Sequence, residues 1–548
     1  MLKSITALAA TSVLLLPASI GLAASEATDS QLALQRMRLV ETDQGSSFEV
    51  ERSVAPDSGP IENDPGTAPA AANARGAGSV IWQTNVINAI YTSTAVVGST
   101  GKLAAGTYLN DPRKLEVTPL DGAGVPDWEF AGTELRIDAA QHADVIAGID
   151  RVGSGMTVYK WHAGSAVPDW SFPITSSDPA SYETVAVSDD GSTIAILVTV
   201  QGSPIKARLY YFDSGSGTPL GSYDAPDGTF ARNVDISTNG EYIAFIALAD
   251  VYVLNRDTGA IRWSGNMGAT SDALALSGDG NTLAYGWTTF TVRQWDGSIY
   301  APAWTTSNAL YRVLACDISG DSGTLAVGWY RTDYLQNRIQ LFDLPSSVPA
   351  WTYLYAVGSG GQQDEPAHLA LTTDGGYLAV GSWGDQANTN PEIEVFSHAD
   401  PDPILLVDTP GSIFDIDIRD GVDGVRVAAC GKHIHANTSG RGGDLYSIQV
   451  LNPAAAPEDL AAAMRSVSAQ PNPFRPGGSL RFAAPATARQ LDIHGVDGRV
   501  VRSLTIPSGT GSVRWDGATD DGVPAPAGVY WLRWNGELAG AGRLVMLR

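Results

Sequence analysis

Residues 320–323 read Gly-Asp-Ser-Gly, a setting in which a serine hydroxyl can act as a nucleophile once a histidine base and a buried aspartate reach it. The seven histidines, at 142, 162, 368, 398, 433, 435 and 494, lie in no matching context. The segment also has a duplicate. Ser-Gly-Asp-Ser-Gly-Thr-Leu-Ala at 319–326 parallels Ser-Gly-Asp-Gly-Asn-Thr-Leu-Ala at 277–284. Ser322 is therefore read as the tip of a turn, and no catalytic residue is expected there.

A second candidate is Cys430 with His433 and His435. Two imidazoles at i and i+2 share one face of a strand, and with a thiolate they could hold zinc or copper. Cys430 sits in an apolar run and no fourth ligand is evident, so core packing and solvated histidines are expected instead, with no metal. The third candidate is acidic: Asp516, Asp520 and Asp521. Their spacing lacks the ligand series and late Glu of a calcium loop, and side-chain-to-backbone turn bonds account for them.

What must position any site follows from the whole chain. Its 548 residues call for more than one domain, and 44% hydrophobic content with 14 Trp can fill large cores. Fifty-nine Gly and 31 Pro beside only 17% charged residues point to many turns and short strands. The net charge of −25 repels phosphate backbones, so nucleic acid is excluded as an expected partner. Residues 1–23 have one Lys, an apolar run, Pro17 and small residues before Ala23, the layout of a secretory signal peptide. No other stretch is apolar enough to span a bilayer. An exported, soluble monomer is expected, with Cys316 and Cys430 as two buried thiols, a lone bridge between them being the alternative in an oxidising compartment. Residues 24–78 are rich in Ala, Ser, Pro, Gly and acids and are read as a flexible leader with a helical turn or two around Gln31–Val40.

From residue 79 the chain repeats. Similar segments begin at Ala186, Asp235, Ala275, Asp317 and Ala370, each a strand, a polar turn and a second strand. Their turn residues Asp190, Asn239, Asp279, Asp321 and Asp374 stand 49, 40, 42 and 53 apart. That period, without helical periodicity, implies four-stranded β-propeller blades. Eight third strands can be counted; the eighth blade lacks a fourth, and residues 79–86 around Trp82 supply an orphan one. The fold class is therefore all-β: an eight-bladed β-propeller over 79–451, with seven blades as the alternative, closed by that amino-terminal strand.

Residues 251–263, VYVLNRDTGAIRW, resemble the repeat of propellers related to pyrroloquinoline quinone enzymes, while the Asp-Gly first turns resemble WD-type repeats. The resemblance implies that the Trp packs between neighbouring blades, and Trp128, Trp170, Trp304 and Trp351 are read the same way. It would also allow a quinone-dependent oxidoreductase. Those enzymes often carry a vicinal cysteine pair over the quinone, absent here, and no cofactor is expected.

After a linker at 452–465, residues 466–548 read as short alternating strands between Gly, Pro and Asp turns, an Ig-like sandwich. The pieces Pro471-Asn472-Pro473-Phe474, Leu491-Asp492-Ile493, Asp497-Gly498-Arg499, Trp515-Asp516-Gly517, Ala527-Gly528-Val529-Tyr530 and Arg543-Leu544-Val545 resemble the Ig-like module of the flagellar hook-capping family and type IX secretion sorting domains. That resemblance implies sorting or tethering at a bacterial surface through secretion or attachment machinery.

The links between second and third strands vary most in length, and variable loops on a rigid scaffold are where binding usually sits. Asp111, Arg113, Arg331, Tyr334, Trp383, Asp385 and His433 are the expected rim. The reading is an exported, surface-displayed, non-catalytic binding or adhesion module for a protein or polysaccharide ligand. The alternative is a secreted enzyme with its site at the same mouth, either quinone-dependent or carbohydrate-active.

Overall fold

The computed structural model describes residues 35–42, 45–52, 73–76, 78–108, 113–132, 135–152, 155–175, 184–202, 204–333, 335–358, 364–385, 388–421, 424–435 and 442–451, and toward the carboxy terminus 468–469, 476, 479–481, 489–495, 499–507, 512–534 and 542–547. The signal-peptide and linker assignments lie outside these residues. Within them the fold is all-β, and no helix is long and apolar enough to cross a membrane.

The amino-terminal unit, ending at Val54, holds one hairpin: Gln35–Thr42 pairs antiparallel with Gly45–Arg52. This corrects the expected helical turns around Gln31–Val40. Met37, Leu39, Phe48 and Val50 alternate with polar residues, and the register sets Met37 opposite Val50 and Leu39 opposite Phe48. Alternation of period two decides for strand over helix.

In the second unit, eight antiparallel sheets follow one another in the chain, each built on four strands. Their first strands are Ile90–Val97, Leu135–Ala139, Thr184–Val187, Ala231–Ile236, Leu274–Leu276, Tyr311–Ile318, Pro366–Leu371 and Ile413–Gly421; the sheets are numbered 1 to 8 in that order. Asn73–Gly76 adds a fifth strand to sheet 7 beside Leu405–Asp408. Sheet 8 takes its fourth strand from the other end of the chain: Gly78–Val86 pairs with Gly443–Leu451, Trp82 opposite Ser447. Each first strand lies against the next, and that of sheet 8 lies against that of sheet 1.

Coverage on one face or both explains the burial. Second strands such as Thr193–Val200 and Thr282–Gly286 are buried throughout, as strands covered on both faces must be. Sheets pack on one another through shared clusters, for example Leu197, Leu209 and Tyr211 of sheet 3 with Val234, Phe245 and Tyr252 of sheet 4. Fourth-strand tryptophans clasp the neighbouring sheet. The indole N–H of Trp128 donates to Ala163 O (3.0 Å), Trp170 to Ser214 O (2.8 Å) and Trp351 to His398 O (2.9 Å). Trp82 makes the same contact from sheet 8 to sheet 1, donating to Leu120 O at 3.0 Å. Trp263 instead lies under the Arg293 guanidinium, 4.8 Å from its ring centre. The Trp304 indole N–H is buried without an acceptor among the described residues.

The carboxy-terminal Ig-like domain pairs Ser468–Ala469, Ser479–Arg481 and Ser512–Arg514 in one sheet and Val500–Ile506, Arg489–Gly495, Gly528–Trp534 and Gly542–Met546 in another. Leu480, Leu491, Ile493, Trp515, Tyr530 and Leu532 form its core.

Candidate functional site

The two ends of the sheets differ. At one end each first strand turns into the second, and five of these turns repeat one hydrogen-bond pattern. In sheet 5, Asp279 Oδ1 accepts the Ser277 hydroxyl at 2.6 Å and the Asn281 N–H at 2.9 Å, and the Ser277 hydroxyl accepts the Thr282 N–H at 2.8 Å. Asp190, Asn239, Asp321 and Asp374 do the same in sheets 3, 4, 6 and 7. The next position is left-handed, with φ of 72°, 69°, 66° and 65° at Gly191, Gly240, Gly280 and Gly375. Ser322 fills this slot in sheet 6 at φ 66°, where L-residues are strained. Its hydroxyl accepts the Asp279 N–H at 3.1 Å. It is a turn residue.

The turns also bond to one another. His142 N–H donates to Asp189 O, Asp190 N–H to Thr238 O, Thr238 N–H to Gly278 O, and Asp321 N–H to Thr373 O, all within 2.8–3.1 Å. The Thr373 hydroxyl then returns to Gln141 Oε1 of sheet 2 at 2.6 Å. A Cβ on Gly278 would lie 2.0 Å from Gly320 O, so only glycine lets these turns meet. This end is tied off.

One level below the turns, the first strands alternate in residue type. Sheets 2, 4, 6 and 8 place Asp138, Asp235, Asp317 and Asp417 where sheets 1, 3, 5 and 7 have Ala95, Ala186, Ala275 and Ala370. Each Asp reaches the following sheet: Asp138 Oδ2 accepts Val187 N–H at 2.7 Å, Asp235 accepts Leu276 at 2.6 Å, Asp317 accepts Leu371 at 2.7 Å and Asp417 accepts Val96 at 2.7 Å. The other oxygen caps the next N–H of its own strand, Ala139, Ile236 and Ile418 in three of them at 2.7–2.8 Å. Burial pushes these carboxyls up, Asp138 and Asp235 to about 7 and Asp317 to about 8, against the lowering effect of the N–H bonds. Their task is structural: each accepts backbone N–H groups at alternate seams.

At the opposite end second strands finish and the links to the third strands vary in length. Of the expected rim, Asp111 and Tyr334 lie outside the described residues. Arg113 is half-buried, its carbonyl accepting Gly132 N–H at 3.0 Å. Arg331 ion-pairs with Asp333 at 2.8 Å. Trp383 packs edge-on against Phe414, ring centres 5.8 Å apart. Asp385 does not line an open rim. It is fully buried and accepts the N–H groups of Thr389 (2.7 Å) and Asn390 (2.8 Å) and the Thr389 hydroxyl (2.9 Å). His433 Nδ1 meets the buried Asp444 Oδ2 at 2.8 Å, and that hydrogen bond raises its pKa.

The Cys430, His433, His435 trio is not assembled. Cys430 is fully buried with Leu445 and Tyr91, and burial pushes its thiol up, away from the thiolate a metal needs. His435 instead turns to Asn388 Oδ1 at 2.7 Å. Both cysteines are free thiols, and no group of three metal-ligating side chains occurs among the described residues. Asp516 accepts Ala518 N–H two residues on at 3.0 Å, the expected turn bond.

Sequence reasoning did not single out a group of residues that meet at the end where second strands finish. Trp287 of sheet 5 and Tyr330 of sheet 6 pack edge to face, ring centres 6.0 Å apart and planes at 61°. Arg312 stands opposite Tyr330 in the register, and His368 meets Asp415 at 3.0 Å on the adjoining first strands. A signal was present: Leu-Ala-Tyr-Gly-Trp at 283–287, Leu-Ala-Val-Gly-Trp-Tyr at 325–330 and Leu-Ala-Val-Gly-Ser-Trp at 378–383 each end a buried strand with an aromatic.

Comparison with known proteins bears on the carboxy terminus. The family described as the FlgD Ig-like domain matches residues 474–538. That part of the chain is FlgD-like in sequence and Ig-like in fold. Among curated proteins none matches the chain.

Proposed function

We propose that sheets 1 to 8 are the blades of a closed eight-bladed β-propeller of the type that the quinone-enzyme and WD repeats resemble, and that it serves as a non-catalytic binding module. Two observations support the architecture. The Asp/Ala alternation closes consistently only on an even number of sheets, since Asp417 of sheet 8 bonds Val96 of an Ala-type sheet. The strand Gly78–Val86 completes sheet 8, which removes the edge that its third strand would otherwise expose.

The observation that carries the functional reading is the inequality of the two ends. Five like turns, several of them bonded to one another, stand at one end, while the other has loops of unequal length beside the half-buried aromatics Trp287, Tyr330, Trp383 and Phe414. Aromatic side chains on a rigid scaffold offer large contact area at small entropic cost. The ligand is a protein or polysaccharide outside the cell: the amino terminus is a secretory signal, and the FlgD-like module sorts or attaches the protein at a bacterial surface. Retention of purified full-length protein on an array of polysaccharides and surface proteins, with chromatography of the eluates, tests this. Binding with substrate recovered intact is expected; released product, or a stoichiometric redox cofactor in the absorption spectrum, overturns it.

A further inference from the structure

Resting on the mouth as the binding end, we infer that sheets 5 and 6 form a subsite for a carboxylate-bearing sugar, with Arg312 as the anion contact and the Trp287 ring, met edge to face by Tyr330, as the stacking platform. Tyr311 and Val313 point into the core with Trp329, so the alternation of the strand turns Arg312 to the other face. There it shares a register position with Tyr330, whose ring meets Trp287 across the seam. The Val313 N–H donates to Trp287 O at 2.9 Å, which fixes the two strand ends to each other.

The guanidinium is held on one side only. Arg312 Nη1 donates to Ala309 O at 3.1 Å and Tyr311 O at 3.0 Å. Among the described residues no carboxylate pairs with it, unlike Arg232 with Asp272 (2.7 Å) or Arg331 with Asp333 (2.8 Å). Pinning Nη1 orients the Nε–Nη2 edge, the edge that grips a carboxylate through two parallel bonds. Leu310, two residues before Arg312, is exposed at 48%. Aromatic and apolar surface with one oriented cation fits the flat face and single acid of a hexuronate unit. The net charge of −25 opposes long-range attraction of such a polymer, so its hold depends on this short-range contact.

The test uses full-length protein in affinity electrophoresis through gels containing polygalacturonate, fully methyl-esterified polygalacturonate, dextran or poly-glutamate. Polygalacturonate is expected to retard the protein, and Arg312→Gln to weaken that retardation about tenfold, the scale of one charge-assisted bidentate contact. Trp287→Ala is expected to weaken it similarly, while Arg426→Gln, whose partner is Asp121, leaves it unchanged. Melting curves confirm that each variant is folded. Equal retardation by the methyl ester or dextran overturns the acidic subsite while leaving the binding module intact. Equal retardation by poly-glutamate reassigns Arg312 to a peptide and overturns it as well. Indifference of folded Arg312→Gln, or no retardation by polygalacturonate, also overturns it.

Discussion

The carboxylate of Asp417 accepts the backbone N–H of Val96 at 2.7 Å across 321 residues of sequence. It joins the last sheet to the first with the same bond that Asp138, Asp235 and Asp317 make between earlier neighbours. Asp417→Ala leaves the Val96 and Ile418 N–H groups buried without that acceptor. A loss of about 2 kcal/mol is expected from unmade buried hydrogen bonds, read from urea unfolding of full-length protein. Asp417→Asn retains one acceptor oxygen and is expected to lose less; equal stability of all three proteins would remove the seam from the account.

These acids also set a pH dependence. A carboxyl raised by burial binds protons more tightly in the folded chain than in the unfolded one. Its stabilising contribution is therefore present at low pH and lost as pH rises through the folded value. Asp138, Asp235 and Asp317 titrate near 7, 7 and 8. The charged groups acting on them are Asp417 and Arg419 for Asp138, Asp189 for Asp235, and Asp235 and Asp189 for Asp317. In the turns the order reverses: burial raises Asp190 and Asp279, but hydrogen bonds from Ser192, Ser188, Asn281 and Ser277 outweigh it and hold both low. Their contribution is lost only in stronger acid. Melting temperature should therefore be highest at mildly acid pH and fall between about pH 5 and 8. A rise over that interval would contradict the burial of these groups.

Ser322 offers a cleaner test. Its left-handed φ of 66° matches the glycines of the equivalent turns. Ser322→Gly exchanges relief of strain against the bond to Asp279 N–H, and stability should stay within about 1 kcal/mol. Ser322→Val should lose about 2 kcal/mol, because a branched Cβ resists that conformation. Similar melting curves for the two would show that the position is not left-handed.

Much of this was legible in the sequence, and for physical reasons. The turn column Asp190, Asn239, Asp279, Asp321, Asp374 could be read because a left-handed turn accepts few residue types. Trp82 could be read as a displaced fourth strand because the clasping indole recurs. The Asp/Ala column from Ala186 to Ala370 was equally present, but an aspartate among apolar residues acquires meaning only when the next sheet brings up its N–H. Asp385 looked like a rim carboxylate because its loop is long; the loop folds back and its own N–H groups use the charge. The Trp287–Tyr330 pair was missed because its members lie in different sheets, and Arg312 resembles an ordinary strand residue. The hairpin at 35–52 was hidden by the polar composition around it.

Removing residues 1–86 tests the shared sheet directly. Gly443–Leu451 would lose its partner strand, and Trp82 its bonds to Pro119 O and Leu120 O at 3.0 Å. The shortened protein should unfold at lower denaturant with reduced cooperativity, whereas removal of residues 1–72 should leave the midpoint unchanged. Equal midpoints for the two truncations would contradict closure through this strand.

The proposed function has ligand taken at the end that carries Trp287 and Tyr330, not at the bonded turns or by the FlgD-like module. Hydrogen exchange of the full-length protein, with and without the polymer that retains it, measures this most directly. Protection is predicted at residues 287–289, 310–314, 329–333 and 431–433, with 188–192, 277–281 and 319–323 unchanged. Protection confined to those turns, or to residues 474–538, would contradict it.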